Sequence, residues 1–260
     1  MYPFFQVDSF TGERFAGNPA AVVFLDAWPS DAVLQAVAAE NNLSETAFLV
    51  KKGEDYELRW FTPAVEVDLC GHATLASAHV VFTHLERDRP RVVFHTRSGA
   101  LTVTQQEHGL LAMDFPAYAS EEVHAPDMLF AAMGRRPREV HRASWTWMLT
   151  YADEAAVRAL EPDFVALRSV DPATVIATAP GSTCDFVSRF FGPGVGVDED
   201  PVTGSAHCVL APCWAKRLDK PKLHARQVSA RGGEMTCEVT GDRVVLAGRV
   251  APYLEGHIEI

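Results

Sequence analysis

The chain has 260 residues, enough for one large domain or two smaller ones with a proper hydrophobic core. It carries 23 basic and 34 acidic side chains, and this net charge of −11 argues against binding to the phosphate backbone of nucleic acids. No apolar run is long enough to span a bilayer, and the first residues lack the basic start of a secretory signal. We therefore expect a cytoplasmic protein with no membrane partner.

The first half of the chain alternates β-forming runs with helical ones. Aromatic and β-branched residues between Gly, Asn and Pro clusters predict strands, and apolar residues at helical spacing predict a helix. The predicted elements are strands at 2–8, 20–25, 46–50 and 56–63, a helix at 29–41 and a three-stranded meander across 91–116.

The second half repeats this order more loosely. It has predicted strands at 139–142, 145–151, 173–179 and 184–191, a helix at 153–161 and a final pair of hairpins across 227–249. We infer an α+β fold of two pseudo-repeated domains, each a mostly antiparallel sheet around one buried helix. The polar stretch 117–127 predicts domains of residues 1–118 and 119–260, and the last ten residues could return to the first domain.

Two stretches of small residues, 67–82 and 194–214, each predict the start of a buried helix. Exposed amides at a helix N-terminus favour an anion, so the pair could hold one small carboxylate, although both could equally be ordinary core helices. Asp200 is predicted to be the N-cap of the second helix, and Pro212 predicts a kink within it. The position of Cys70 at the first helix start predicts a lowered thiol pKa.

The five cysteines are scattered, and none forms a pair at the spacing of a zinc motif, which predicts reduced thiols. Cys208 and Cys213 lie in an apolar helical stretch, where they are expected to act as small hydrophobic residues.

Four blocks of sequence, in order, carry a resemblance to a known family: "VDSFTGERFAGNPAAVV", "NNLSETAF", "LRWFTPAVEVDLCGHATLASAHVVF" and "GVDEDPVTGSAHCVLAPCW". Together they resemble the PhzF-like family of phenazine biosynthesis-type isomerases. The resemblance implies a diaminopimelate epimerase-like fold with the active site in the cleft between two domains. It also implies no cofactor, no metal and a homodimer.

The resemblance assigns site roles to residues that match the family blocks. It implies that Glu45 is the acid/base and that His72 and Asp200 are also catalytic. The implied substrate-binding residues are Gly71, Gly204 and Ser205. Taken alone, Glu45 would be a solvated carboxylate, His72 a satisfied buried histidine and Asp200 only a helix cap.

We therefore expect a cofactor-independent isomerase that moves a proton on a small carboxylic acid with a shift of a double bond. One alternative is a racemase or epimerase that uses Cys70 as its only thiol base. The related epimerases use two cysteines, and Pro201 stands where the second thiol would be. A second alternative is a binding protein that retained the cleft but lost turnover.

Overall fold

The computed structural model describes residues 1–260, which form two compact units. The first unit contains residues 1–114 and 247–260, and the second contains residues 115–246. The chain thus leaves the first unit a few residues before the expected boundary at 118 and returns to it for its final stretch. No helix is both long enough and apolar enough to cross a membrane.

The first unit is a mixed sheet whose strands are joined by two helices. In chain order its elements are β1 (Tyr2–Ser9), β2 (Asn18–Leu25), α1 (Asp31–Asn41), β3 (Glu45–Lys52), β4 (Asp55–Phe61), β5 (Glu66–Val67), α2 (Gly71–Val80), β6 (Arg91–Thr96), β7 (Gly99–Gln105) and β8 (Leu111–Pro116). A π-helical turn, Val81–Leu85, continues α2. Strands β1 and β2 are antiparallel, β2 and β3 parallel across α1, β3 and β4 antiparallel, and β4 and β6 parallel across α2.

The second unit repeats this order of strands and helices. Its elements are β9 (Glu121–Glu122), α3 (Asp127–Met133), β10 (Glu139–Ala143), β11 (Thr146–Thr150), α4 (Glu154–Arg158), α5 (Phe164–Leu167), β12 (Val175–Pro180), β13 (Phe186–Gly192), β14 (Val197–Asp200), α6 (Gly204–Leu218), β15 (Lys222–Gln227), β16 (Gly233–Thr240) and β17 (Arg243–Gly248). The last strand of the chain, β18 (Val250–Ile258), pairs with β1 in the first unit.

The pairing in the two units follows one scheme. Strands β10 and β11 are antiparallel, β11 and β12 parallel across α4 and α5, β12 and β13 antiparallel, and β13 and β15 parallel across α6. This sequence of pairings is the one that β1 to β6 follow in the first unit. The prediction of an α+β fold with an internal repeat, mostly antiparallel with one buried helix in each half, is therefore confirmed.

The central helix α2 is built mainly from small residues and is buried on almost every side, whereas α6 is buried mainly in its first half. Apart from Gly71 and His79, every residue of α2 is buried, which a helix with one apolar face would not be. Pro212 lies inside α6 and cannot donate to the carbonyl of Cys208 one turn earlier. The backbone N–H of Tyr118 donates to that carbonyl at 2.9 Å instead, which satisfies it. The kink expected at this proline stays a prediction.

A bidentate arginine–glutamate ion pair holds the short strand that precedes each central helix against its neighbouring strand. Arg59 on β4 donates from Nε and Nη2 to the two carboxylate oxygens of Glu66 on β5, at 2.7 Å each. Arg189 on β13 makes the same two contacts with Glu199 on β14, at 2.7 and 2.8 Å. Bidentate pairs of this kind fix the relative position of the two strands as well as stabilising them. The chain therefore enters each central helix from a strand that is held in place.

Acid is expected to destabilise the second unit through His207 on α6. Its Nδ1 lies 2.8 Å from the carbonyl of Thr203, and burial lowers the pKa of His207 to about 4. The unfolded chain binds this proton near its ordinary pKa of 6.5, so stability falls as pH drops below that value. The loss attributable to this group between pH 7 and pH 5 is about 2 kcal/mol.

The measurement is urea unfolding at both pH values for the wild type, His207→Gln and, as a control, His224→Gln, whose side chain is 43% exposed. We expect His207→Gln alone to lose that part of the pH dependence. Equal pH dependence in all three proteins would show that His207 does not titrate in this way.

Candidate active site

Glu45 is held at the point where β3 begins. The left-handed conformation of Asn42 ends α1, and three residues later Glu45 opens β3 opposite Ala20 of the parallel strand β2. Its side chain is only 16% exposed. The carboxylate is thus fixed by the sheet instead of lying free in solvent.

His72 is the second residue of α2 and is buried, with 6% of its side chain exposed. The hydroxyl of Ser9, the last residue of β1, donates to the backbone carbonyl of His72 at 2.8 Å. The first turn of α2 is therefore anchored to the sheet, and the imidazole is anchored with it.

The structure brings Glu45 and His72 together. His72 Nε2 lies 3.0 Å from Glu45 Oε2, although the two groups are not aligned as a hydrogen bond. On the other edge of the ring, Asn18 Nδ2 lies 3.2 Å from His72 Nδ1. In the neutral ring, Nδ1 accepts from the Asn18 amide and the proton lies on Nε2, the atom that faces Glu45; in the protonated ring, both nitrogens carry a proton.

The electrostatics of this pair favour a protonated imidazole. Burial opposes a charge on His72, but the Glu45 carboxylate 3.0 Å away favours one, and the pKa of His72 is raised well above its usual range. A carboxylate beside an imidazole that holds a proton is a suitable arrangement for accepting a proton at one atom and donating one at another.

The pKa prediction for Cys70 is wrong. Cys70 is the N-cap residue of α2, and its Sγ lies 3.5 Å from His72 Nδ1. Burial and the charge of Glu45 raise the pKa of the thiol, against the smaller lowering effects of His72 and the Ala73 amide. The helix terminus does favour the thiolate, but removing the sulfur from water costs more than that terminus supplies.

Gly17 positions Asn18, and replacing it by Ala is expected to destabilise the protein by about 2–3 kcal/mol. Its φ of +64° is left-handed, and an added Cβ would clash with the backbone carbonyl of Ser9 and the side chain of Thr11. Gly53→Ala is the matched control, because Gly53 has a φ of +61° with open space around it. Urea unfolding should show the smaller, purely conformational loss of about 1 kcal/mol there. Equal losses at the two positions would contradict the clash.

In the second unit, the prediction of Asp200 as a helix N-cap is wrong. Asp200 is the last residue of β14, and the N-cap of α6 is Thr203. The Thr203 hydroxyl donates to Asp200 Oδ2 at 2.5 Å. The cause is Gln227, which accepts from the Thr203 amide at 2.9 Å and donates to the Asp200 carbonyl at 2.6 Å, and so holds residues 200–203 as a loop.

The remaining predicted site residues lie at the two helix starts. Gly71 and Gly204 are the first residues of α2 and α6. Ser205 follows Gly204 and is exposed, whereas Gly204 is buried. Within the first unit, Glu45 contacts His72, which Gly71 precedes in the chain; within the second, Asp200 contacts Thr203, which Gly204 and Ser205 follow.

Two residues of these arrangements were missed by sequence reasoning. Asn18 belongs to one of the Gly, Asn and Pro clusters that indicate a turn, but it begins β2 and contacts the imidazole of His72. Gln227 was not singled out, although Leu223, Ala225 and Gln227 alternate with more exposed residues along β15. That alternation places Gln227 on the buried face, where a polar side chain needs partners.

The chain is similar to known proteins along almost its whole length. A family model described as a phenazine biosynthesis-like protein matches residues 7–256. An uncharacterized isomerase from Pseudomonas aeruginosa is 52% identical over 256 residues, which cover 98% of each chain. The crystal structure of a PhzF-family phenazine biosynthesis protein from Enterococcus faecalis has a TM-score of 0.96 at 45% identity, covering 100% of this chain and 99% of its own.

A more distantly related structure shares the same fold. A hydroxyproline epimerase from Agrobacterium vitis, crystallised with bound trans-4-hydroxy-L-proline, has a TM-score of 0.63 at 12% identity, covering 99% of this chain and 90% of its own. At that identity the likeness shows the fold alone.

Proposed function

Because the chain belongs to the PhzF-like family of isomerases, we propose that it isomerises a small carboxylic acid by moving a proton between two carbons with a shift of a double bond. The observation that carries this proposal is the contact between the Glu45 carboxylate and the His72 imidazole, both fixed by the sheet. Such a reaction changes neither the formula nor the oxidation state of its substrate.

Glu45 is proposed to remove a proton from an activated carbon and to return one to another carbon of the same molecule. His72 stabilises the charge that Glu45 carries before the first step and keeps the carboxylate oriented. General acid–base catalysis by one positioned group contributes typically about 10²–10⁴-fold to the rate. We expect no organic cofactor to be needed, because the proton leaves and returns within one substrate molecule.

The helix starts supply the proposed substrate contacts. Backbone amides at the N-termini of α2 and α6 favour a carboxylate, because the first amides of a helix lack partners within it and the helix dipole is positive there. The substrate-binding roles of Gly71, Gly204 and Ser205 and the catalytic role of Asp200 remain predictions, as does the homodimer.

The one-thiol alternative is less well supported. A general base must be deprotonated, and burial raises the pKa of Cys70. The one-thiol alternative would gain support if alkylation abolished turnover in the wild type but not in Cys70→Ala. A catalytically silent binding protein would retain a carboxylic acid without changing it.

A screen for isomers of equal mass tests the proposal. The purified protein would be incubated, without added cofactor, with a panel of small unsaturated hydroxy and amino carboxylic acids, and each mixture analysed by NMR and mass spectrometry. We expect one class of acid to give a product of unchanged mass with a moved double bond. A product of altered mass, from redox chemistry or hydrolysis, would contradict the proposal.

A further inference from the structure

Gln227 is a buried glutamine at the end of β15, and its side chain reaches the residues that lead into α6. Its backbone is fixed from both sides, because Gln227 is paired with Ser188 of β13 and with Gly233 of β16. A side chain that starts from the interior of a sheet has a well-defined origin. Gln227 lies outside the four sequence blocks that carry the family resemblance.

Two backbone contacts fix the orientation of the Gln227 amide. The N–H of Thr203 donates to Oε1 at 2.9 Å, and Nε2 donates to the carbonyl of Asp200 at 2.6 Å. A backbone N–H can only donate and a carbonyl can only accept. Turning the amide over would therefore break both hydrogen bonds, so its orientation is determined by these partners.

The orientation of the amide sets the direction of the Thr203 hydroxyl. Gln227 Nε2 also donates to Thr203 Oγ1, at 3.2 Å. Because the hydroxyl accepts there, its single hydrogen is available for Asp200 Oδ2, 2.5 Å away. One directed chain of hydrogen bonds thus runs from Gln227 through Thr203 to the Asp200 carboxylate.

We propose that Gln227 is a positioning residue, which acts through Thr203 to hold the Asp200 carboxylate in the orientation that the reaction needs. A carboxylate without a fixed partner can turn about its side-chain torsions, whereas one that accepts from a held hydroxyl keeps one orientation. The same glutamine holds the backbone on both sides of Pro201 and Val202, and so fixes where α6 begins. This inference rests on the proposed function, in which Asp200 is a catalytic residue.

Thr203→Val separates the orientation of Asp200 from support of the loop. Valine has no hydroxyl, but both backbone contacts with Gln227 remain possible. We expect kcat on the acid found by the isomer screen to fall roughly 10–100-fold, as misplacement of a reacting group does, with a much smaller change in KM. Thr203→Ser keeps the hydroxyl and should recover most of the lost kcat.

Gln227→Glu tests the chain of hydrogen bonds from its other end. The new carboxylate can still accept from the Thr203 N–H, but it has no hydrogen to donate, and the Thr203 hydroxyl can turn toward it and away from Asp200. We expect a loss of kcat similar to that of Thr203→Val. The double variant should lose little more than the worse single variant, because both changes break one chain.

The matched control is Gln106→Glu, the same change at an exposed glutamine of the first unit, which should keep wild-type kcat. NMR of the wild type tests the geometry without a variant. Scalar couplings through hydrogen bonds are expected between the Gln227 side-chain nitrogen and the Asp200 carbonyl carbon, and between the Thr203 amide nitrogen and the Gln227 side-chain carbonyl carbon. Absence of both couplings would overturn the chain.

A purely structural role for Gln227 gives a different result. Folded Thr203→Val and Gln227→Glu would then keep wild-type kcat and differ only in their urea midpoints, which would overturn the positioning role. If Glu45→Gln still loses activity in that case, the proposed function stands. A wild type that isomerises no acid in the screen would overturn both.

Discussion

Replacing Glu45 by Gln is expected to lower kcat by about 10²–10⁴-fold, the typical contribution of one general acid or base. Glutamine keeps the length of the side chain and its place at the start of β3, but its amide cannot accept the proton that the carboxylate accepts. Substrate affinity should change much less than kcat, because the predicted contacts with the substrate carboxylate come from other residues.

The matched control is Glu40→Gln, on the exposed end of α1 in the same unit. It should retain wild-type kcat, and both variants should unfold near the wild-type urea midpoint. Full activity in folded Glu45→Gln would remove Glu45 from the mechanism.

Replacing His72 by Gln is expected to lower kcat by about 10²-fold or more and to change its pH dependence. Because the Glu45 carboxylate raises the pKa of His72, the ring keeps its proton to a higher pH than a free imidazole does. Activity that depends on this proton should therefore fall on the alkaline side in the wild type. The variant has no such proton, so its remaining activity should lack that decline.

The pH profile of kcat/KM measures this, with His108→Gln as the control because the His108 side chain is 81% exposed. A purely structural role for His72 would lower activity at every pH by the same factor and leave the shape of the profile unaltered. An unaltered profile would contradict the proposal that the imidazole proton of His72 takes part in catalysis.

The internal repeat could be predicted because it depends on local patterns. Runs of apolar β-forming residues predict strands such as β2, and runs of small residues that follow acidic ones predict the starts of α2 and α6. The short helix α3 escaped prediction, because it follows directly on a polar stretch that suggested only a boundary. Local composition identifies an element only when the element is long enough to repeat its pattern.

The errors at the helix starts have a common physical cause. Asp200 is a good cap by residue type, but Gln227, a residue distant in sequence, holds the Asp200 backbone in an extended loop. Cys70 is at a helix terminus as predicted, yet its pKa depends on burial, which sequence neighbours do not determine. Capping and titration are decided by tertiary contacts, whereas strand and helix patterns are largely local.

The central claim is that this chain moves a carbon-bound proton through Glu45, and isotope exchange tests it most directly. The carboxylic acid found by the isomer screen would be incubated in D₂O with the wild type, Glu45→Gln and Glu40→Gln, and followed by proton NMR. We predict that the wild type and Glu40→Gln exchange or relocate the substrate proton at the rate of turnover, and that Glu45→Gln does neither. Exchange at an undiminished rate in folded Glu45→Gln would contradict the account.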